Sequence, residues 1–199
     1  MLKSAHNNND YQMDIDNLVS SCLRGDRQSQ RVLFKKYREK IYNIIFHSLG
    51  PNFELDDIFQ EVFIKIFKSL KNFKGISSLD TWIYRITAKV CIDQLRKKYR
   101  KRKIETVNNY DSIDKLRNPT DSNPDKENEQ KELMEQIYIG LNKLSIEKRL
   151  VITMFEMEGF SIKDISEILG KPIGTIKSRL FHGRKELAGY LHSYLDIKS

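Results

Sequence analysis

The stretch from Ser161 to Leu187, SIKDISEILGKPIGTIKSRLFHGRKEL, leaves this part of the chain few ways to fold. Ile162, Ile165, Ile168 and Leu169 recur at helical spacing, and Ser161 stands where an N-cap is needed. Gly170 can take the left-handed conformation that ends a helix, and Pro172 prevents that helix from resuming. Gly174-Thr175 then opens a second helix, in which Ile176, Leu180, Leu187 and Leu191 share one face at about 100° per residue. The break therefore dictates two short amphipathic helices hinged at Gly170-Lys171-Pro172.

The second helix carries Thr175, Ser178, His182 and Lys185 on its outward face, with Lys177, Phe181 and Arg184 flanking one side and Arg179 the other. Hydroxyl, imidazole and cationic groups on a single helix suit the DNA major groove, whose width admits a helix. An ordinary helical hairpin with a solvated basic face is the other reading this stretch allows. A net charge of +8 and a pI near 9.3 favour a polyanionic partner. No apolar run is long enough to span a bilayer, and Met1–Met13 lacks the apolar centre of a secretory signal, so a soluble protein in the cytoplasm is expected. Cys22 and Cys91 form no metal-type spacing and the histidines are scattered, so neither a metal site nor a cofactor is expected.

Upstream, Ile15, Leu18, Val19 and Leu23 form an amphipathic series closed by Gly25. A helix from about Ser29 to Leu49 carries Val32, Leu33, Tyr37, Ile41, Ile44 and Ile45 as its apolar stripe and ends at Gly50-Pro51. In the next helix, Leu55 to Leu70, Ile58, Phe59, Val62, Phe63, Ile66, Phe67 and Leu70 cover roughly half the circumference, which predicts a central core helix. Asp57, Gln60, Glu61 and Lys68 lie opposite, and Ile64 falls among them. An aliphatic residue ringed by acids and an amide fits either a protein-docking surface or an isolated exposed side chain.

After the loop at 71–77, Ser78 is the expected N-cap of a helix whose Leu79, Ile83, Ile86 and Val90 face inward. Arg85, Lys89, Arg96, Arg100 and Lys103 fall within about 60° of one another around its axis, a stripe suited to phosphates. Trp82, Tyr84 and Tyr99 lie near it and could stack on unpaired bases. From about Ile104 to Asn128 the composition turns to Asn, Asp, Ser and Pro, as in a linker. Periodicity resumes at Leu133, Ile137, Leu141 and Leu144, and Ser145 caps a helix with Leu150, Val151, Met154 and Phe155. The expectation is an all-α protein: a polar tail at 1–13, a helical unit at 14–103, a flexible linker at 104–127, a second helical unit at 128–192 and a short tail at 193–199.

DDIFQEVFIKIFKSL (Asp56 to Leu70), SSLDTWIYRITAKVCIDQLRKK (Ser77 to Lys98) and EGFSIKDISEILGKPIGTIKSRLFHGRKEL (Glu158 to Leu187) resemble regions 2.2, 2.3 to 2.4, and 4.2 of sigma-70 family RNA polymerase sigma factors. The short length and the lack of a middle domain resemble the extracytoplasmic function (ECF) subfamily. The resemblance implies a region 2 helical bundle and a region 4 helix-turn-helix. It implies that Asp57, Gln60, Glu61 and Ile64 dock on the clamp helices of the polymerase largest subunit. Phe73, Lys74, Ser77, Trp82, Arg85, Lys89, Arg96 and Arg100 would then recognise and hold the melted strand of the −10 element. In the second unit, Lys177, Ser178, Phe181 and His182 would face bases of the −35 duplex, with Thr175, Arg179, Arg184 and Lys185 mainly on phosphates. The implied partners are core polymerase, through clamp helices and flap, promoter DNA, and an anti-sigma factor. Lys89, Leu79 and His182 depart from residues frequent in the family at those positions, and none of the three lies on the docking face.

Two other classes compete. A stand-alone helix-turn-helix regulator would use the first unit to dimerise and would bind palindromic duplex without polymerase. An enzyme would need a nucleophile or paired carboxylates. Asp56-Asp57 is the only candidate pair, and adjacent residues on a helix point about 100° apart, which suits no shared metal.

Overall fold

The computed structural model describes the backbone of residues 15–51, 53–108 and 126–198; side chains at 102–108, 126–130 and 195–198 lie outside the described set. The expected tail at 1–13 and most of the expected linker fall outside the described residues, as does the side chain of Lys103. Among the described residues the secondary structure is helical, with no strand.

A first helix, α1, runs through 15–23 and turns at Gly25, whose φ is +86°. Helix α2 spans Arg27–Leu49. It starts two residues before Ser29 because Asp26 takes the cap, its carboxylate accepting from the backbone N–H groups of Gln28 and Ser29. Helix α3 spans Leu55–Ser69 and tightens into a 3-10 turn at Leu70–Asn72. Helix α4 spans Leu79–Asn108, with Ser78 Oγ accepting from the Thr81 N–H at 3.0 Å. Helix α5 covers Lys126–Lys143 and α6 covers Ile146–Ile152 under a Ser145 cap, running on into a π-helical turn at Thr153–Met157. Helix α7 is Ile162–Leu169 and α8 is Ile173–Lys198.

Two boundaries differ from expectation. Helix α4 continues to Asn108, into the segment read as linker, and α8 continues to Lys198, through the segment read as a tail. Both extensions are rich in residues with modest helical cost, and propagating an existing helix needs no new nucleus.

Leu33, Tyr37, Ile41 and Ile45 of α2 meet Val62 and Ile66 of α3 and Leu79 and Ile83 of α4 in the core of the first unit. Val32 and Leu23, expected inside, are about half exposed. In the second unit Leu141, Leu150, Met154, Ile165, Ile168, Ile176 and Leu180 are buried. Helix α8 approaches α6 closely at Gly183, where a Cβ would lie 3.0 Å from Ile152 Cγ1.

The two units share one continuous core, a feature the reading as tethered units did not anticipate. Phe46 meets Tyr138 at 5.8 Å between ring centroids, and Tyr84 meets Phe160 at 5.3 Å. Tyr99 Oη donates to the carbonyls of Asn142 and Leu144 at 3.2 and 3.4 Å. Arg149 is 2% exposed in this seam; Nη1 donates to Asn142 Oδ1, whereas Nε and Nη2 meet no protein acceptor. Burial lowers its pKa to about 10. Cys91 of α4 is fully buried beside this guanidinium, and burial raises its thiol pKa to about 12.

Candidate functional site

Three surfaces carry the residues singled out from the sequence. On α3, Asp57 and Gln60 are exposed and Ile64 is 51% exposed. Glu61 differs: it is half-buried, Oε1 pairs with Lys65 Nζ at 2.7 Å, and Oε2 accepts from Gln94 Nε2 at 2.8 Å. The Lys65 hydrogen bond leads the interactions that hold its carboxyl below the usual range, against burial, which raises it. Its charge is thus partly spent on α3–α4 packing.

Phe59 and Phe67, expected in the core, are only half-buried. With Phe34, Phe63 and Ile64 they line an open groove of about 760 Å³, rimmed by Asp56, Gln60 and Lys68. The excess width of the α3 apolar face was therefore a sign of this groove as well as of a core. Helical periodicity alone does not separate the two, because residues at the groove and in the core recur on the same face.

The second surface joins the 71–77 loop to α4. Phe73 packs edge-on against Trp82 at 5.6 Å, and both rings are half-buried. Lys74 is exposed, Gly75 turns the loop at a φ of +69°, and Ser77 is half-buried. Ile76, unremarked in the sequence, is 90% exposed at the tip. Arg85, Lys89, Arg96 and Arg100 are exposed on one side of α4. Arg85 is already engaged, its Nη2 donating to the Glu167 carbonyl of α7 at 2.8 Å. Tyr84, expected beside the stripe as a stacking platform, packs edge-on against Phe160, whereas Tyr99 stays 45% exposed with its hydroxyl donating to the Asn142 and Leu144 carbonyls.

The third surface is the helical hairpin. Ser161 and Asp164 form a capping box, and Gly170 ends α7 at φ 60°, ψ 40° in the left-handed region. On α8, Lys177, Ser178, Phe181, His182, Arg184 and Lys185 are exposed, and Thr175 and Arg179 are half-buried at the margins. Phe181 is 65% exposed. Arg184 pairs with Glu156 and lies over the Phe155 ring at 5.1 Å, so its guanidinium is tethered to its own unit. Beside this face a cleft of about 530 Å³ is lined by Ile162, Leu180 and Phe181 with Lys177, Arg184 and Lys185.

The apolar groove on α3 offers a protein partner buried area. The two cationic faces offer a polyanion charge, one beside a ring pair and the other on a helix of groove-fitting width. Family profiles match both helical units. Residues 33–101 match Sigma-70 region 2, and residues 135–187 match Sigma-70, region 4. The ECF RNA polymerase sigma-E factor of Haemophilus influenzae is 31% identical over 173 residues, 84% of this chain and 90% of that protein. CnrH, solved in complex with the cytosolic domain of CnrY, superposes with a TM-score of 0.63 at 18% identity, covering 88% of this chain and 96% of that one. The sigma factor RpoE of Bartonella quintana, solved with the anti-sigma factor NepR, gives a TM-score of 0.59 at 22% identity over 81% of this chain and 96% of that one. These two likenesses concern the fold. Both region profiles matched in order, and a relative this similar along nine-tenths of its length, establish that the chain belongs to the ECF group of the sigma-70 family and is an RNA polymerase sigma factor.

Proposed function

We propose that the three surfaces divide the work of promoter opening. The α3 groove with Asp57, Gln60 and Ile64 takes core polymerase, with Glu61 contributing through its ion pair to Lys65 and its hydrogen bond from Gln94 of α4. The 71–77 loop with Trp82, Arg85, Lys89, Arg96 and Arg100 holds the −10 strand. The α8 face reads the −35 duplex, Lys177, Ser178, Phe181 and His182 toward bases and Arg179 and Lys185 on phosphates. Arg184 keeps a phosphate role only if Glu156 releases it. The −10 surface performs no chemistry of its own: captured bases repay unstacking with binding free energy, of order a few kcal/mol per base. Partnership with an anti-sigma factor, as in the Bartonella quintana complex, and action beside polymerase in the cytoplasm belong to the same reading. No helix among the described residues is long and apolar enough to cross a membrane.

The observation that carries this reading is the physical contrast between surfaces. The face assigned to polymerase is an apolar groove whose rim mixes Asp56, Gln60 and Lys68, and both faces assigned to DNA are cationic. Run-off transcription with core polymerase and a genomic promoter library tests it. Ile64→Asp is expected to abolish core binding in a pull-down while helicity by circular dichroism stays unchanged; undiminished retention of core enzyme would sink the assignment. A stand-alone regulator would footprint duplex without polymerase, and the family membership disfavours that alternative.

A further inference from the structure

We propose that the seam between the two units holds one small inorganic anion of the chloride class, bound by Arg149 and Tyr138 of the second unit and closed on the other side by Ser48 and Gly50 at the end of α2. Arg149 is 2% exposed; Nη1 donates to Asn142 Oδ1, while Nε and Nη2 are buried and meet no protein acceptor. Tyr138 is 7% exposed, and its buried hydroxyl likewise has no protein partner. Ser48 Oγ, fully buried next to the Cys91 thiol that adjoins the guanidinium, finds no acceptor stronger than that sulfur. Gly50 provides the room. The chain passes it at a φ of +81°, and a Cβ placed there would stand 3.5 Å from Tyr138 Cδ1 and 3.6 Å from Arg149 Nη2. A methyl-sized group fits that place in ordinary contact with the guanidinium. Chloride is close to a methyl group in size, whereas a phosphate or a carboxylate is larger.

Charge, and not hydrogen bonding alone, sets the class of ligand. Among the described residues no carboxylate pairs with Arg149; the groups whose charge bears on it are the Tyr99 and Tyr138 phenols and the Cys91 thiol. Burial raises the pKa of both Tyr138 and Cys91, so neither is an anion at neutral pH. Glu158, the buried acid of the seam, is taken up by α2, where it pairs with Lys40 Nζ at 3.0 Å and with His47 Nδ1. Water would satisfy the free donors and leave the guanidinium charge uncompensated, which is the costly state for a buried ion. A monovalent anion meets both needs. Held by α5 and α6 on one side and by α2 on the other, it fastens the two units together, and the seam strengthens as the anion concentration rises.

Thermal unfolding of the full-length protein is followed by circular dichroism as sodium chloride replaces sodium gluconate at constant ionic strength, for wild type, Arg149→Met and Tyr138→Phe. If the dissociation constant is on the order of 20 mM, about 200 mM chloride raises the folded-to-unfolded ratio roughly tenfold and the midpoint by about 3–6 °C. The expected result is a saturable rise in wild type, a weaker one in Tyr138→Phe and none in Arg149→Met. Chloride NMR line broadening reads the same site in the folded protein and should be larger for wild type than for either variant. A wild-type midpoint indifferent to the exchange of anions would overturn the site and leave its donors to water. An equal rise in wild type and Arg149→Met would overturn it as a general salt effect. Should Arg149→Met fail to fold, Tyr138→Phe decides: line broadening equal to wild type overturns the donor set, and weaker broadening upholds it.

Discussion

Arg149→Met measures how strongly the seam resists its own closure. Desolvation drives the guanidinium pKa from 12.5 down to about 10. At 1.36 kcal/mol per pKa unit, a lowering of this size corresponds to a few kcal/mol against the charged form. Because a cation whose folded pKa is lowered carries this penalty at every pH below the folded value, it is fully present at neutral pH. Met has similar volume and no unpaired donors, but it forfeits the Asn142 hydrogen bond, about 1.5 kcal/mol for a charged donor. Asn142 is half-buried and can turn to water. The net expectation is a gain on the order of 1–2 kcal/mol, within the range seen when buried charges give way to packed apolar groups. For a chain of this size that raises the unfolding midpoint by about 3–6 °C. Thermal unfolding followed by circular dichroism reads it, with Arg149→Lys as the control that keeps a buried charge and should gain nothing. A Met variant less stable than wild type would refute the reasoning and make the guanidinium an anchor.

Burial pushes the Glu158 carboxyl up, but hydrogen bonds from His47 and Lys40 and their charges outweigh it and leave the pKa lowered. For an acid this means that the stability from the Glu158 pairing is fully present above the ordinary value of 4.5 and is lost as pH falls below it, with Lys40, His47 and the Tyr138 phenol facing the group. The stability difference between wild type and Glu158→Gln, measured by urea unfolding, should shrink below that pH. Gly183→Leu overfills the α6–α8 contact and should cost about 1–3 kcal/mol in urea unfolding. Ser161→Ala removes the α7 cap and should cost about 1 kcal/mol in the same measurement. Lys177→Ala should lower the salt slope of duplex binding by about 1, whereas Arg184→Ala, already paired with Glu156, should lower it less; equal slopes would remove the distinction between them.

The hairpin was legible in the sequence because its signals are local. Ser161, Gly170 and Pro172 fix where the helices stop and start, and their periodicity fixes which side faces in. The α3 face was half legible: the period located Phe59 and Phe67 on the apolar side, but no period tells a groove from a core. The seam was not legible. Tyr84 and Tyr99 lie beside the basic stripe in helical projection, and only the fold reveals that Phe160 meets the first ring and that the carbonyls of Asn142 and Leu144 hold the second residue's hydroxyl. Nothing local marks Glu158 or Arg149 for burial, because it arises from contacts more than a hundred residues apart in one case and from α6 meeting α4 in the other.

The buried thiol of Cys91 turns the seam into its own clock. A disulfide reagent attacks the thiolate, and neither this sulfur nor that of Cys22 is accessible in the folded chain. Its labelling rate is therefore the intrinsic rate multiplied by the fraction of time the surrounding structure is open, as in amide exchange. Cys22, near the end of α1 and remote from Arg149, supplies the reference for breathing within the first unit alone. The ratio of the two rates follows the opening of the seam while DNA is titrated in.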